Sequence, residues 1–208
     1  MSIMSLEIHV NTRGSLFPDP EKDEIACVFW CIHSNNEELT SNGVREGYHV
    51  GILVVAEQTT LVDKIRRMIG VTVREERSEL DLITTLVDIV RALDPDILTG
   101  YEIHNSSWGY VIERARYIYG KSNRAHQDVY LLMYFLLPEY DLIQELSRMK
   151  CKSHGRFGKE ADSWGFNTTA AIKITGRHMI NIWRAMRGEV NLTQYTLENV
   201  VFHLLHRR

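Results

Sequence analysis

Residues 94–107 read DPDILTGYEIHNSS and lead directly into Trp108-Gly109-Tyr110-Val111-Ile112-Glu113-Arg114-Ala115. The run from Asp96 to Tyr101 is too short for a helix and follows a proline that ends one. It therefore reads as a strand, and as one parallel to a neighbour, because a helix hands the chain back to a sheet at this point. Gly100 permits a close backbone approach at the strand's end. Ser107 stands near the N-cap of a second helix, Trp108 to Tyr119, with Val111, Ile112, Ala115 and Ile118 on one side. The turn between them lies at the carboxyl end of a strand, where open α/β sheets place their sites.

Upstream, Ser78-Glu79-Leu80-Asp81 forms a capping box, and Ile83, Leu86, Val87, Val90 and Leu93 recur at helical spacing until Pro95. Before it lie three runs of strand composition: Ile3 to Val10 (IMSLEIHV), Ile25 to Ile32 (IACVFWCI) and Tyr48 to Ala56 (YHVGILVVA), with a fourth, short one around Val71 to Arg74. The first alternates, with Met4, Leu6, Ile8 and Val10 on one face and Ser5, Glu7 and His9 on the other. Pro18 to Glu24 reads as a turn and Ser34 to Gly47 as a polar loop, so the first three strands form an antiparallel meander. Downstream, Asp128 to Met149 has helical spacing interrupted by Pro138, and Lys150 to Gly165 reads as loop. Thr168 to Thr175 reads as strand, and Met179 to Met186 and Leu197 to His206 as helices. Strands first as a meander, then helix, strand and helix, imply an α/β domain with a mixed sheet.

The chain has 208 residues, 44% hydrophobic and 25% charged, which suits one large domain better than two small ones. A formal net charge of -3 excludes a globally basic surface, so any nucleic-acid contact has to come from local clusters. No apolar run is long enough to span a bilayer, and the N-terminus lacks signal-peptide character. Cys27 and Cys31 share a strand face as small buried hydrophobes. With Cys151 they make an odd number, three, which points to a reducing compartment. The patterned segment stops at Leu204-Leu205-His206-Arg207-Arg208 without a tail, as expected of a piece of a longer polypeptide.

DPDILTGYEIHN, followed by Tyr110 and Arg114-Ala115, resembles the second exonuclease motif of the family B DNA polymerases, and IMSLEI resembles the first, whose pattern is Asp-x-Glu. Gly176-Arg177 and the later run Leu192-Thr-Gln-Tyr195-Thr-Leu-Glu-Asn199-Val200 are similar to the segment that leads to the third motif. The fold implied is α/β and ribonuclease-H-like, of the 3'-5' exonuclease type, a mixed sheet flanked by helices. The implied domain covers residues 1–208 and stops before the third motif, with a variable insertion at 122–167.

In a proofreading member, carboxylates from three motifs hold two metal ions that activate water and stabilise the leaving oxygen. Here the first acid of the Asp-x-Glu pair is Ser5, and the acid expected after Asn105 is Ser107. Only Glu7 remains, as a relic, and none of the nine tyrosines has the Asp four residues later that the third motif requires. The resemblance thus implies vestigial positions Ser5, Glu7 and Ser107, no catalytic residue and no metal ligand set. It suggests DNA contacts at Asn105, Tyr110 and Arg114. A rearranged metal site of Glu7, His9, Glu102 and His104 is a competing reading. The cations Arg148, Lys150, Lys152, Arg156 and Lys159 read as a solvated loop, the competing reading being phosphate contact. Trp30 and Trp183 read as core, and Trp108 either fills part of the vacated cleft or packs the helix start.

What the likeness implies is a non-catalytic exonuclease-like module of a translesion DNA polymerase, degenerate as a nuclease. The parent chain would extend primer-template DNA past damage in the nucleus, with magnesium and an iron-sulfur cluster bound elsewhere. It would work with accessory subunits, including a HORMA-domain protein, and with no membrane. Two alternatives stand beside it. One is an active metal-dependent exonuclease with substituted ligands. The other is a protein-interaction module using the apolar run Leu131 to Leu137.

Overall fold

The computed structural model describes residues 1–35, 47–56, 71–125, 141–150 and 172–207. Among the described residues six strands form one mixed sheet: β1 (Ser2–Val10), β2 (Ile25–Ser34), β3 (Tyr48–Val55), β4 (Thr72–Glu76), β5 (Ile97–Gly100) and β6 (His178–Asn181). Their order across the sheet is β4-β3-β2-β1-β5-β6. The first three strands pair antiparallel as the expected meander, while β4 lies parallel to β3, β5 parallel to β1 and β6 parallel to β5. The helices are α1 (Glu79–Leu93), α2 (Trp108–Ala125), α3 (Leu142–Leu146), α4 (Ile182–Glu189) and α5 (Leu197–Leu205).

Alternation along β1 sorts the two faces of the sheet. Met4 and Leu6 are fully buried and share a core with Val28, Trp30 and Ile32 of β2, Leu53 of β3 and Leu98 of β5. Leu82, Ile83, Leu86 and Val90 of α1, with Val111, Ile112 and Ala115 of α2, close that core from above. On the opposite face Cys27, Ile52 and Val54 form a smaller cluster with Val71 and Val73. Both described cysteines are free thiols, and burial pushes the Cys27 thiol up to about 12, so it packs as a small hydrophobe.

α1 begins and ends as its sequence dictates. The Ser78 hydroxyl accepts from the Asp81 N–H at 3.2 Å and donates to its carboxylate at 2.8 Å. At the other end Asp94 takes a left-handed conformation, φ 39°, with its N–H on the Val90 carbonyl, and Pro95 prevents a further turn. Two arginines then clamp the Asp94-Pro95-Asp96 link. Arg148 reaches Asp94 at 2.7 Å and Asp96 at 2.9 Å, while buried Arg177 meets Asp94 at 2.8 Å and donates to the carbonyls of Leu146 and Pro95. The Asp96 carboxylate also accepts the Ser2 N–H at 2.9 Å, so the clamp sets the start of both β1 and β5. Arg148, assigned from composition to a solvated loop, is a structural ion-pair partner instead.

Two expectations at the C-terminal end need correction. Ile172 to Ile174 are not strand, and the strand forms at His178–Asn181, where a helix was expected to be starting; α4 begins only at Ile182. The cause is non-local. Gly176 turns the chain at φ 84°, and residues 178–181 then pair with 97–100 of β5, a register that local periodicity does not encode. Asn181 ends the strand by capping α4, accepting from the Arg184 N–H at 3.4 Å. α2 also runs past Tyr119 to Ala125, and of the helical segment expected from Asp128 to Met149 residues 141–149 are described, with helix only at α3. Leu131 to Leu137, Cys151, Lys152, Arg156 and Lys159, and with them most of the 122–167 insertion, lie outside the described residues.

Tyr110 and Arg114 hold α2 to the rest of the domain from within. The Tyr110 hydroxyl donates to the Asp23 carbonyl at 2.8 Å, and burial, ahead of its charged neighbours, pushes that phenol up to about 12, so it acts as a neutral donor. Arg114 makes a fork with Glu79 at 2.8–3.1 Å and donates to the Pro20 carbonyl at 3.0 Å. Glu79 in turn accepts the Ile25 N–H at 2.7 Å, so one buried pair joins α1, α2 and the start of β2. Removing one member strands a buried charge, at a cost of about 3–5 kcal/mol. Arg114→Met is therefore expected to lower the unfolding free energy, measured by urea denaturation, by that amount, and Arg114→Met with Glu79→Gln to cost less than the two single changes summed. A single variant within about 1 kcal/mol of the parent would show the pair to be dispensable.

Candidate functional site

The strand–turn–helix of residues 97–108 lands on β1. β1 and β5 pair in parallel with Ser5 opposite Thr99, and the turn after β5 brings fully buried Ser107 onto the β1 backbone. The Ser107 hydroxyl donates to the Leu6 carbonyl at 2.7 Å, one residue from Glu7 and one from Ser5. Gly100 makes the approach possible, since a Cβ there would stand 2.2 Å from the Ser107 Oγ and 2.9 Å from the Leu6 oxygen. The three positions singled out in the sequence thus meet where β5 ends, beside the middle of β1. Ser107 was expected to cap α2; its hydroxyl is directed at β1 instead.

Glu7 also differs from the relic expected. Its Oε1 accepts the Tyr101 N–H at 2.5 Å, just past the last β5 residue. Burial raises its pKa above the ordinary value, the Tyr101 hydrogen bond opposes that shift, and the neighbouring Glu102 adds to it. Ser5 is half-buried and donates weakly to the Cys31 carbonyl at 3.4 Å. Glu102 closes the turn below Ser107: its carboxylate accepts the N–H groups of His104 and Asn105 at 3.1 and 2.7 Å and the Asn181 amide at 3.3 Å. Burial lowers the His104 pKa and so favours the neutral ring; Glu102 opposes that shift and Arg184 adds to it.

A two-ion centre needs several anionic oxygens facing one volume. At the three motif positions there is one carboxylate, turned to a backbone N–H, and two hydroxyls that donate to backbone carbonyls. These residues do not fit a pair of magnesium ions. The rearranged set of Glu7, His9, Glu102 and His104 is not assembled either, because among the described residues no three His, Cys, Asp or Glu side chains gather as a metal site.

Of the suggested DNA contacts, Asn105 is exposed, whereas Tyr110 and Arg114 are 1% and 4% exposed and satisfied within the protein. These two are packing residues. Trp108 is fully buried in the core and donates to the Thr99 carbonyl at 3.0 Å, so it packs the start of α2 and leaves the cleft alone. Trp30 is core as expected; Trp183 is only half-buried, with the Arg187 guanidinium 4.8 Å from its ring centroid and 5.6 Å from that of Tyr195. Local pattern missed how Tyr101 joins these parts. Its N–H meets Glu7, its carbonyl accepts the Trp183 N–H at 2.7 Å, and its hydroxyl donates to the Tyr195 carbonyl at 2.8 Å.

This architecture, with Ser5, Glu7 and Ser107 around one strand end, is that of a ribonuclease-H-like 3'-5' exonuclease domain, and the chain belongs to the DNA polymerase family B exonuclease domain family, whose model matches residues 1–200. It is similar to the DNA polymerase zeta catalytic subunits of Saccharomyces cerevisiae and Schizosaccharomyces pombe, each 40% identical over 99% of the chain, and of Homo sapiens, 35% identical over all of it. The chain spans 12% of the length of the two yeast relatives and 6% of the human one.

The raised Glu7 pKa has a stability consequence with a definite sign. Between the ordinary carboxylate value and the higher folded value, the folded state binds more protons than the unfolded state. Stability contributed by Glu7 is therefore complete below that window and declines as pH rises through it. Glu7→Gln, which does not ionise, is expected to gain stability relative to the parent as pH rises from about 4 to about 7. Chemical denaturation of both proteins across that range checks it, and a difference that is flat or falls with pH would refute the burial argument.

Proposed function

We propose that this chain is a non-catalytic exonuclease-like module of a translesion DNA polymerase of the zeta type. One observation carries the reading: the single acid at the motif positions, Glu7, is turned to the Tyr101 N–H, and Ser107, where the second motif's acid would stand, donates to the Leu6 carbonyl. With neither ion held, hydrolysis lacks both the activated water and the clamp on the leaving oxygen. A module without proofreading suits a polymerase that has to leave distorted or mispaired ends in place.

The parent activity follows from the same reading. The whole polypeptide would carry out template-directed nucleotidyl transfer past DNA damage in the nucleus, on primer-template DNA. Magnesium and an iron-sulfur cluster would be bound outside residues 1–208, as would accessory subunits, among them a HORMA-domain protein. Among the described residues no helix is long and apolar enough to cross a membrane. Within this domain Asn105 is the one suggested DNA contact whose position leaves it available at the surface.

The test is a nuclease assay on a 3'-labelled single strand in magnesium or manganese. No nucleotide release is expected above the no-protein control, and Glu7→Ala is expected to leave that result unchanged. Metal-dependent 3'-5' digestion by the parent protein, abolished by Glu7→Ala, would overturn the proposal in favour of an exonuclease with substituted ligands.

A further inference from the structure

The residues of the cleft disagree with the metal centre that their positions imply, and the disagreement has a direction. We infer that the side chains at the motif positions serve the chain's own backbone: Glu7 and Ser107 form an intramolecular brace that holds the β5–α2 turn and the start of α4 against β1. The inference rests on the reading of the chain as an exonuclease-like domain without nuclease chemistry.

Both backbone polar groups of Tyr101, which belong to successive peptide units, are held across elements. Gly100 pairs with Asn181 in the last register position of β5 and β6, so the next N–H, that of Tyr101, is beyond the sheet ladder. Without a partner, a half-buried backbone donor would cost about 1–3 kcal/mol. Glu7 Oε1 supplies the acceptor at 2.5 Å. The Tyr101 carbonyl then accepts the Trp183 N–H, in the first turn of α4, at 2.7 Å. The N–H and the carbonyl of this one residue thus tie β1 and α4 to the end of β5. Ser107 completes the brace from the helix side, its hydroxyl filling the space that Gly100 leaves over the Leu6 carbonyl. A carboxylate at 107 has no proton to donate to that carbonyl, so the serine performs a task that a metal-ligand aspartate could not.

Amide hydrogen exchange of the full chain separates a brace from a relic. Glu7→Met keeps the volume of the side chain but removes the acceptor, and is expected to speed exchange of the Tyr101 and Trp183 amides about tenfold or more, while Glu7→Gln stays within about threefold of the parent, since an open unpartnered donor shifts the local opening equilibrium by roughly the energy of the lost bond. Ser107→Ala is expected to speed exchange around the β5–α2 turn, and Ser107→Thr to preserve it. Unchanged exchange in Glu7→Met, or equal acceleration in Glu7→Met and Glu7→Gln, would overturn the brace. If Glu7→Met does not fold while Glu7→Gln does, the pair still supports an acceptor role, and if neither folds the acceptor argument fails. None of these outcomes depends on nuclease activity of the parent protein, which tests the functional reading separately.

Discussion

The approach of the β5–α2 turn onto the middle of β1 is the contact on which this domain depends. It exists because Gly100 has no side chain and Ser107 can donate a proton to Leu6. β1 is already committed on its other edge to β2 and on one face to the core, so the turn settles where β5 ends, beside the middle of β1. The start of α2, the burial of Trp108 and the placing of Tyr101 all follow. A larger residue at 100 would hold the turn off the sheet and expose the indole that anchors α2.

From that contact the polar interactions radiate in two directions. At the amino end of β5 the link of Asp94 to Asp96 is gripped by Arg148 and Arg177, which tie it to α3 and to the segment that enters β6. At the carboxyl end Glu7, Glu102 and Tyr101 tie β1 to the turn and to α4. Arg114, which the resemblance suggests as a DNA contact, is paired with Glu79, and Arg148, in the basic run, with Asp94 and Asp96. For Arg114, release to a ligand would leave the buried Glu79 carboxylate without its cation.

At the three motif positions the polar side chains are engaged with the chain's own backbone. Two of the positions where metal-binding acids would stand hold serines, whose hydroxyls turn inward to backbone carbonyls, and the surviving acid has found a backbone donor. Sheet register, the turn and α2 are set by Gly100, the core and the buried pair of Arg114 and Glu79.

Much of this was legible in the residues. Period-two alternation of Met4 to Val10, the capping box at Ser78 and the Pro95 stop are local signals, each enforced by backbone geometry within a few residues, and they placed β1, α1 and β5 correctly. That serine stands at 5 and 107, where the resemblance would place acids, is a matter of residue identity alone. What local pattern could not supply was pairing between distant segments. β6 exists because β5 offers it an edge, and Tyr110 and Arg114, polar residues on a helix, are buried because Asp23 and Glu79 arrive from elsewhere to satisfy them. Whether Glu7 is idle or engaged turns on a backbone N–H 94 residues away. The sequence alone determined which atoms were available, whereas only the tertiary structure decided their partners, because hydrogen bonds and ion pairs between distant residues form only once the sheet has brought them together.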